Sequence, residues 1–383
     1  MKKVLFVTGS LQIGGAEKHL LALLPKLVER GFDVRLYVFD KYGPLSTGFA
    51  KYGIKCVGIK KPRKGWPTGR LGRFVRIFHT AFDLIKAYWI FRPDIVHFFL
   101  PHAYVLGGLT SLLYPNVVRI MSRRSLNRYH SKHPFLSKIE RRLHQKMDAV
   151  MANSNSIVQE LIDEGVPKDK LELCYNGVIL SSAEDLIDRS EFRQSLGVAE
   201  RSLVFVMIAN LIPYKGHSDL LKAFSLCREQ LPEEWNLILV GRDDGIGQLL
   251  IEQCNDLGIA DNVILTGEQA NVSDFLSISD VGLLSSHEEG FSNSILEVMY
   301  AGIPIIATDV GGNQEIVQNG RHGYIVPPSA PDQLAQAILK LSGSSVLRQE
   351  FGRAARQHIL EHFSMSSCAD CYAKIYHSNL AKH

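Results

Sequence analysis

At 383 residues the chain exceeds what one hydrophobic core usually organises, so two domains of roughly 150–200 residues are expected. The N-terminus shows no cleavable signal and no stretch reaches the ~18 apolar residues of a membrane span, while six scattered cysteines lack a disulfide framework; together these point to a cytoplasmic protein with reduced thiols. The net charge of +4 conceals a basic segment, residues 60–146, with 18 Lys and Arg against only Asp83, Asp94 and Glu140, which invites an anionic partner such as nucleic acid, anionic lipid or a phosphorylated substrate.

In chain order, the first half alternates short β-rich apolar runs with helical patterns. Strands are expected at VLFVTG, DVRLYVF, IKCVGI, DIVHFF, VVRIMS, DAVMANS and LELCYNG. The first helix is marked by Leu20, Leu21, Leu24, Leu27 and Val28 at helical spacing and is closed by Gly31. Residues 60–92 mix Lys and Arg with Trp66, Phe74, Phe78, Phe82, Trp89 and Phe91, a composition that suits a membrane surface. A polar stretch over residues 181–201 has no strand pattern and reads as a linker with a short helix. The alternation then resumes with LVFVMIA, NLILVG, NVILTG, VGLLSS, PIIATD and GYIVP, and only helix follows Pro331. Two successive α/β domains with doubly wound parallel sheets are expected, at residues 1–180 and 202–364, with ligands at the strands' C-terminal ends in a cleft between them.

Three motifs carry candidate chemistry. In HEEGFSNSILEVMYAGIP, residues 287–304, Glu289 and Glu297 stand eight positions apart around a small polar loop that feeds a helix capped by Ser292 or Asn293. Such a loop end favours anions, and Gly290 permits close backbone approach. The acids would accept hydrogen bonds from hydroxyl groups on either side of a diphosphate, which describes a nucleotide sugar; a helix cap with two solvated acids fits the spacing as well. In IANLIPYKGH, Lys215 sits where an ammonium can reach a phosphate. In TGSLQIGGAEKH, Gly14 and Gly15 offer backbone for a ligand or form a plain turn, matching neither a dinucleotide fingerprint nor a P-loop. The Cys368/Cys371 pair has no second ligand pair and reads as packed helical thiols.

The run EEGFSNSILEVMYAGIPIIATDVGGNQEIV closely resembles the E-x7-E signature of retaining glycosyltransferases of family 4, and Gly14-Gly15, PDIVHFFLPHA, YNG and the Lys-Gly-His run follow in that family's order. The resemblance implies a GT-B fold, two Rossmann-like domains facing a central cleft, with the donor held by the C-terminal domain and the acceptor by the N-terminal one. It implies that a last helix from about residue 365 to 383 returns to the first domain. By the same pattern Glu289 meets donor sugar hydroxyls and Glu297 the ribose. The backbone of Gly290, Phe291, Ser292, Asn293 and Ser294 meets sugar and diphosphate, and Lys215 holds the diphosphate. Gly14, Gly15 and Asn210 complete the donor set, and Glu289, Lys215 and His102 form the catalytic set.

The chain departs from the family at three places. Asn210 stands where an arginine is frequent, Ile179 where an aspartate is frequent, and Phe99 where the second histidine of the VHxH pair would be, leaving His97 with His102 nearby.

The activity implied is a retaining, metal-independent transfer of a sugar from a nucleotide diphosphate to a lipid-linked or glycan acceptor in surface polysaccharide or glycolipid assembly. A UDP-sugar is favoured over a GDP-sugar, and no cofactor or metal is expected. The basic segment would hold the protein peripherally at the inner membrane face, with Lys60, Lys61, Arg63, Lys64, Trp66, Arg123 and Arg124 on the acceptor and membrane side. RNA is disfavoured because no RNP, KH or zinc-knuckle signature accompanies the charge. The rival readings are a sugar-nucleotide epimerase or hydrolase of the same fold, and a non-catalytic subunit that binds membrane or a partner.

Overall fold

The computed structural model describes residues 1–12, 14–39, 43–58, 69–126, 134–178 and 187–383, less the side chains of residues 70, 71, 73 and 102. The chain divides into two compact units, Met1–Gly177 with Met365–His383, and Val178–Ser364.

The first unit is a seven-stranded parallel sheet. Its strands are β1 (Lys2–Thr8), β2 (Phe32–Val38), β3 (Lys55–Gly58), β4 (Ile95–Phe99), β5 (Val118–Arg123), β6 (Ala149–Ala152) and β7 (Leu171–Leu173), in the order β3-β2-β1-β4-β5-β6-β7. Helices α1 (Gly15–Glu29), α2 (Ser46–Lys51), α3 (Gly69–Phe91), α4 (Pro101–Ser111), α5 (Pro134–His144) and α6 (Asn155–Asp163) connect them. A parallel sheet is covered on both faces, so its central strands must be apolar throughout. Val4, Leu5, Phe6 and Val7 of β1 are accordingly all fully buried, contributing to separate cores on the two faces.

The second unit is a six-stranded parallel sheet of β8 (Leu203–Ile208), β9 (Trp235–Val240), β10 (Val263–Gly267), β11 (Val281–Leu284), β12 (Ile305–Thr308) and β13 (Gly323–Val326), ordered β10-β9-β8-β11-β12-β13. Its helices are α7 (Arg189–Ser195), α8 (His217–Cys227), α9 (Gly247–Asp256), α10 (Val272–Ser277), α11 (Asn293–Tyr300), α12 (Asn313–Ile316), α13 (Pro331–Ser342) and α14 (Ser345–His362). The short helix α7 starts where Asp188 accepts hydrogen bonds from the Ser190 and Glu191 amides.

The last helix, α15 (Met365–Leu380), belongs to the first unit, where Met365, Cys368, Ala369, Tyr372, Ile375 and Tyr376 join the core beneath α1. All thirteen strands fall where the apolar runs place them, and two doubly wound parallel sheets are the architecture expected of the GT-B fold.

Two expectations about the basic segment are corrected. Phe91 is not a surface aromatic: it is buried, with the Arg35 guanidinium 4.1 Å from its ring centroid. Arg123 is not available to an acceptor or a membrane, because its side chain is only 2% exposed and its Nη2 meets Glu140 at 2.5 Å and Glu164 at 3.1 Å. His144 joins them through Glu164 at 3.1 Å and Tyr104 at 2.9 Å. Glu140, His144 and Glu164 converge closely enough to hold a cation, and the guanidinium of Arg123 already supplies that charge. Lys60, Lys61, Arg63, Lys64, Trp66 and Ile179 lie outside the described residues, as does the side chain of His102 in α4.

Among the described residues no helix is long and apolar enough to cross a membrane. On α3, however, Phe74, Phe78, Phe82 and Trp89 are 60%, 74%, 71% and 56% exposed. Their spacing of four, four and seven residues lays them along one helix face.

Candidate functional site

In the second sheet, the chain passes from β8 to β9 on one side, while β11 lies on the other side of β8. The loops that follow β8 and β11 therefore part at this switch point, where open α/β sheets take their ligands. Lys215 is in the first loop and Glu289 in the second, and their side chains meet: Lys215 Nζ lies 2.6 Å from Glu289 Oε1, with the side chains 18% and 10% exposed.

Neighbouring serines fix both partners. Ser286 Oγ donates to the same Glu289 oxygen at 2.7 Å, and Thr308 Oγ1 donates to the Ser286 carbonyl at 2.5 Å. Ser285 Oγ reaches the Gly216 and Lys215 carbonyls at 2.9 and 3.2 Å, tying the lysine loop to the end of β11. Only glycine fits at 216: its φ is +72°, and a Cβ there would stand 1.9 Å from the Ser285 carbonyl oxygen. The Gly311-Gly312 turn backs the glutamate loop in the same way. Gly312 N donates to Gly290 O at 3.0 Å, and a Cβ on Gly311 would reach Glu289 O at 1.9 Å.

Ser292 is the N-cap of α11, accepting from the Ile295 amide, so Asn293 is the first helical residue and Ser294 the second. Phe291 is buried, with its ring 5.8 Å from Phe363, which leaves its backbone rather than its side chain for a ligand. Glu297 is half-buried in the second turn of α11. Asn210 follows β8 and bonds Asp244 at 3.3 Å, while Arg242 pairs with Asp244 at 2.7 Å. Arg242 is thus the cation beside Asn210, and no sequence motif singled it out.

The sequence reading also missed Ser285, Ser286 and Asp219. The serines looked like the end of a strand, and Asp219 like an acid in the first turn of α8. Its carboxylate lies 2.7 Å from His287 Nε2, and the His287 amide donates to Tyr214 O at 2.7 Å. Only the folded loops show these ties.

Gly14 caps α1 in the first unit with extended backbone, and Gly15 opens the helix. His97 is a core residue whose nitrogens bond Tyr376 OH and Ser122 Oγ, both at 2.7 Å. Burial is the larger cause, and Arg124 the smaller, that together pull its pKa down to about 3, so it is held neutral.

Comparison with known proteins agrees with this architecture. The family model for glycosyl transferases group 1 matches residues 188–358, and that for Glycosyltransferase Family 4 matches residues 13–182. The N-acetyl-alpha-D-glucosaminyl L-malate synthase of Bacillus anthracis is 27% identical over 74% of this chain and 74% of its own. A D-inositol 3-phosphate glycosyltransferase of Streptomyces avermitilis is 27% identical over 62% of this chain. An Escherichia coli galactosyltransferase acting from UDP-Gal on alpha-D-GlcNAc-diphosphoundecaprenol is 24% identical over 54%. The matches span 53% and 54% of these last two relatives.

Among solved structures, Anabaena HepE in complex with UDP-glucose superposes with a TM-score of 0.82 at 22% identity, covering 99% of this chain and all of that one. Sucrose-phosphate synthase from Thermosynechococcus elongatus gives 0.80 at 18%, covering all of both chains. Two parallel-sheet domains with these likenesses define a glycosyltransferase of the GT-B fold. Within that class, the two models match residues 13–182 and 188–358 in turn, which supports a glycosyltransferase of the family 4 type.

Proposed function

We propose that the protein transfers a hexose, with retention of anomeric configuration and without a metal, from a UDP-sugar to an acceptor carrying an anionic group, at a membrane surface. The observation that carries this reading is the Lys215–Glu289 pair at the switch point of the second sheet. An ammonium there can take the charge that develops on a departing diphosphate, and the carboxylate released from it can accept hydrogen bonds from the sugar. The E-x7-E spacing puts Glu297 one helical segment further on, for the ribose.

UDP and UDP-glucose in the HepE structures support the choice of nucleotide. The relatives named above act on malate, an inositol phosphate and a lipid diphosphate, which supports an acceptor with a carboxylate or phosphate. The aromatic face of α3, next in sequence to Lys60, Lys61, Arg63, Lys64 and Trp66, supports peripheral attachment to anionic lipid in polysaccharide or glycolipid assembly.

Thermal shift with UDP-, GDP- and ADP-sugars tests the donor: a ligand at 100 times its dissociation constant adds about 2.7 kcal/mol. A UDP-sugar should raise the melting temperature and the others should not. NMR of the product's anomeric proton tests retention, and full activity in EDTA tests the metal-free chemistry. An inverted product or magnesium-reversible loss in EDTA overturns the corresponding step.

A further inference from the structure

The first sheet has its own switch point. The chain passes from β1 to β2 on one side, and β4 lies against the other side of β1. Thr8 ends β1 and Phe99 ends β4, one position beyond the Val7–Phe98 partners, so the two sit side by side at the sheet's C-terminal edge. His19, in the second turn of α1, stacks on Phe99 with ring centroids 6.3 Å apart and planes within 10°. The Arg124 guanidinium lies over the same ring, 5.0 Å from its centroid.

Arg124 is held in place rather than neutralised. Its Nη2 donates to Asn176 Oδ1 at 2.5 Å, and its Nη1 reaches Tyr372 OH at 3.5 Å. Among the described residues it makes no ion pair with a carboxylate, in contrast to Arg123 beside it. Asn153 Nδ2 approaches Arg124 O and Asn176 Oδ1, both at 3.4 Å, which brings a third side chain to the same edge.

Among the described residues, these groups leave polar atoms without partners. Thr8 Oγ1, both nitrogens of His19 and Asn153 Oδ1 make no hydrogen bond there, though the residues are only 0%, 4% and 2% exposed. An unsatisfied buried polar group is costly, and native proteins keep few of them. Two such side chains able to donate, Thr8 and His19, beside an arginine with no carboxylate partner among the described residues, at a switch point, form an arrangement that an anion completes.

We propose that Arg124, His19 and Thr8 bind the phosphate or carboxylate of the acceptor, with Asn153 Oδ1 accepting from a hydroxyl of the same molecule. This rests on the glycosyltransferase reading for the identity of the ligand, but not for the existence of the site. Arg124 supplies the charge, the Thr8 hydroxyl and one imidazole N–H supply donors, and Asn153 Oδ1, whose amide nitrogen already donates to Arg124 O and Asn176 Oδ1, is left to accept from a ligand hydroxyl. Burial, with Arg124 second, holds the His19 pKa well below its ordinary value. An anion bound beside the ring offsets the charge of Arg124, so His19 becomes a reporter of occupancy.

The test is a titration of the full-length, 15N-histidine-labelled protein with inorganic phosphate and, separately, succinate, against sodium chloride at matched ionic strength. His19 signals, assigned by their loss in His19→Gln, should shift saturably with one of the two anions and not with chloride. The responding anion distinguishes a phosphate acceptor from a carboxylate one. Arg124→Gln should weaken this binding at least tenfold while UDP binding, in the other unit, is unchanged; Arg124→Lys, which keeps the charge, should recover part of it. The absence of a saturable shift in the wild-type protein overturns the site, as does a shift that persists at full strength in folded Arg124→Gln. Loss of UDP binding in the wild-type protein would instead count against the donor reading and leave this site standing.

Discussion

Lys215 and Glu289 neutralise one another at 2.6 Å, each presented by a different loop of the same sheet edge. On the proposed reading, a diphosphate that engages the ammonium competes with the carboxylate, which would then be released to face the sugar. The pair would so couple leaving-group binding to sugar binding through one exchange of partners.

Glu289→Gln should lower turnover by ~10²-fold while leaving UDP affinity equal or tighter, because the ammonium no longer has to leave an anionic partner. Lys215→Ala should lower turnover by ~10²–10³-fold and weaken UDP as well. Calorimetry with UDP beside steady-state rates separates the two. Equal loss of UDP affinity in both variants would show that the exchange does not occur.

Ser286→Ala removes the hydrogen bond that holds Glu289 Oε1 but leaves the lysine pair in place. Turnover should fall about tenfold, ~1.4 kcal/mol, with little change in UDP affinity. Ser286→Thr, which keeps the hydroxyl, should restore most of the rate. A positioning role is excluded if alanine and threonine behave alike.

Arg123→Ala should be among the most damaging single substitutions in the first unit, at roughly 3–5 kcal/mol, since it strands Glu140 and Glu164 in the interior. Burial pushes the Glu140 carboxyl up to about 7 against the pull of Arg123. Because this folded pKa lies above the unfolded one, the native state holds the extra proton between about pH 4.5 and 7, and the group's contribution to stability falls as pH rises through that window. Glu140→Gln should flatten that part of the profile in urea titrations.

Burial acts in the opposite sense on His97 and His217, whose pKa values it lowers to about 3 and about 4. The unfolded chain binds these protons first, so stability should fall as pH drops below about 6.5, by up to ~1.4 kcal/mol per pH unit for each histidine. A stability profile between pH 4 and 7 that does not respond to His97→Gln would contradict the assignment of a buried neutral ring.

Phe78→Ser with Phe82→Ser should reduce flotation with anionic liposomes by tenfold or more, given ~1.5–3 kcal/mol for each fully buried phenylalanine. Neutralising Lys60, Lys61, Arg63 and Lys64 together should act additively and remove the salt dependence. UDP binding should be untouched by either change. A wild-type protein that ignores anionic vesicles at low salt would assign the aromatic face of α3 to something other than lipid.

The thirteen strands were legible in the sequence because parallel strands are covered on both faces and so appear as unbroken apolar runs, with glycines and helix caps marking their ends. The glutamate and lysine loops were legible too, since loops at strand ends carry the polar residues that a buried strand cannot. Tertiary structure alone decided which of these residues meet. Glu289 is 74 positions from Lys215, and nothing in either loop names Ser286 as the hydroxyl that holds the carboxylate. Arg123 and Arg124 show the limit most plainly. As letters they are one basic pair, but successive residues at a strand's end point to opposite faces, so Arg123 turns inward to Glu140 and Glu164 while Arg124 lies over Phe99 with no carboxylate paired to it among the described residues. Charge is written in the sequence, whereas its surroundings are set by the packing of helices and strands far apart in the chain.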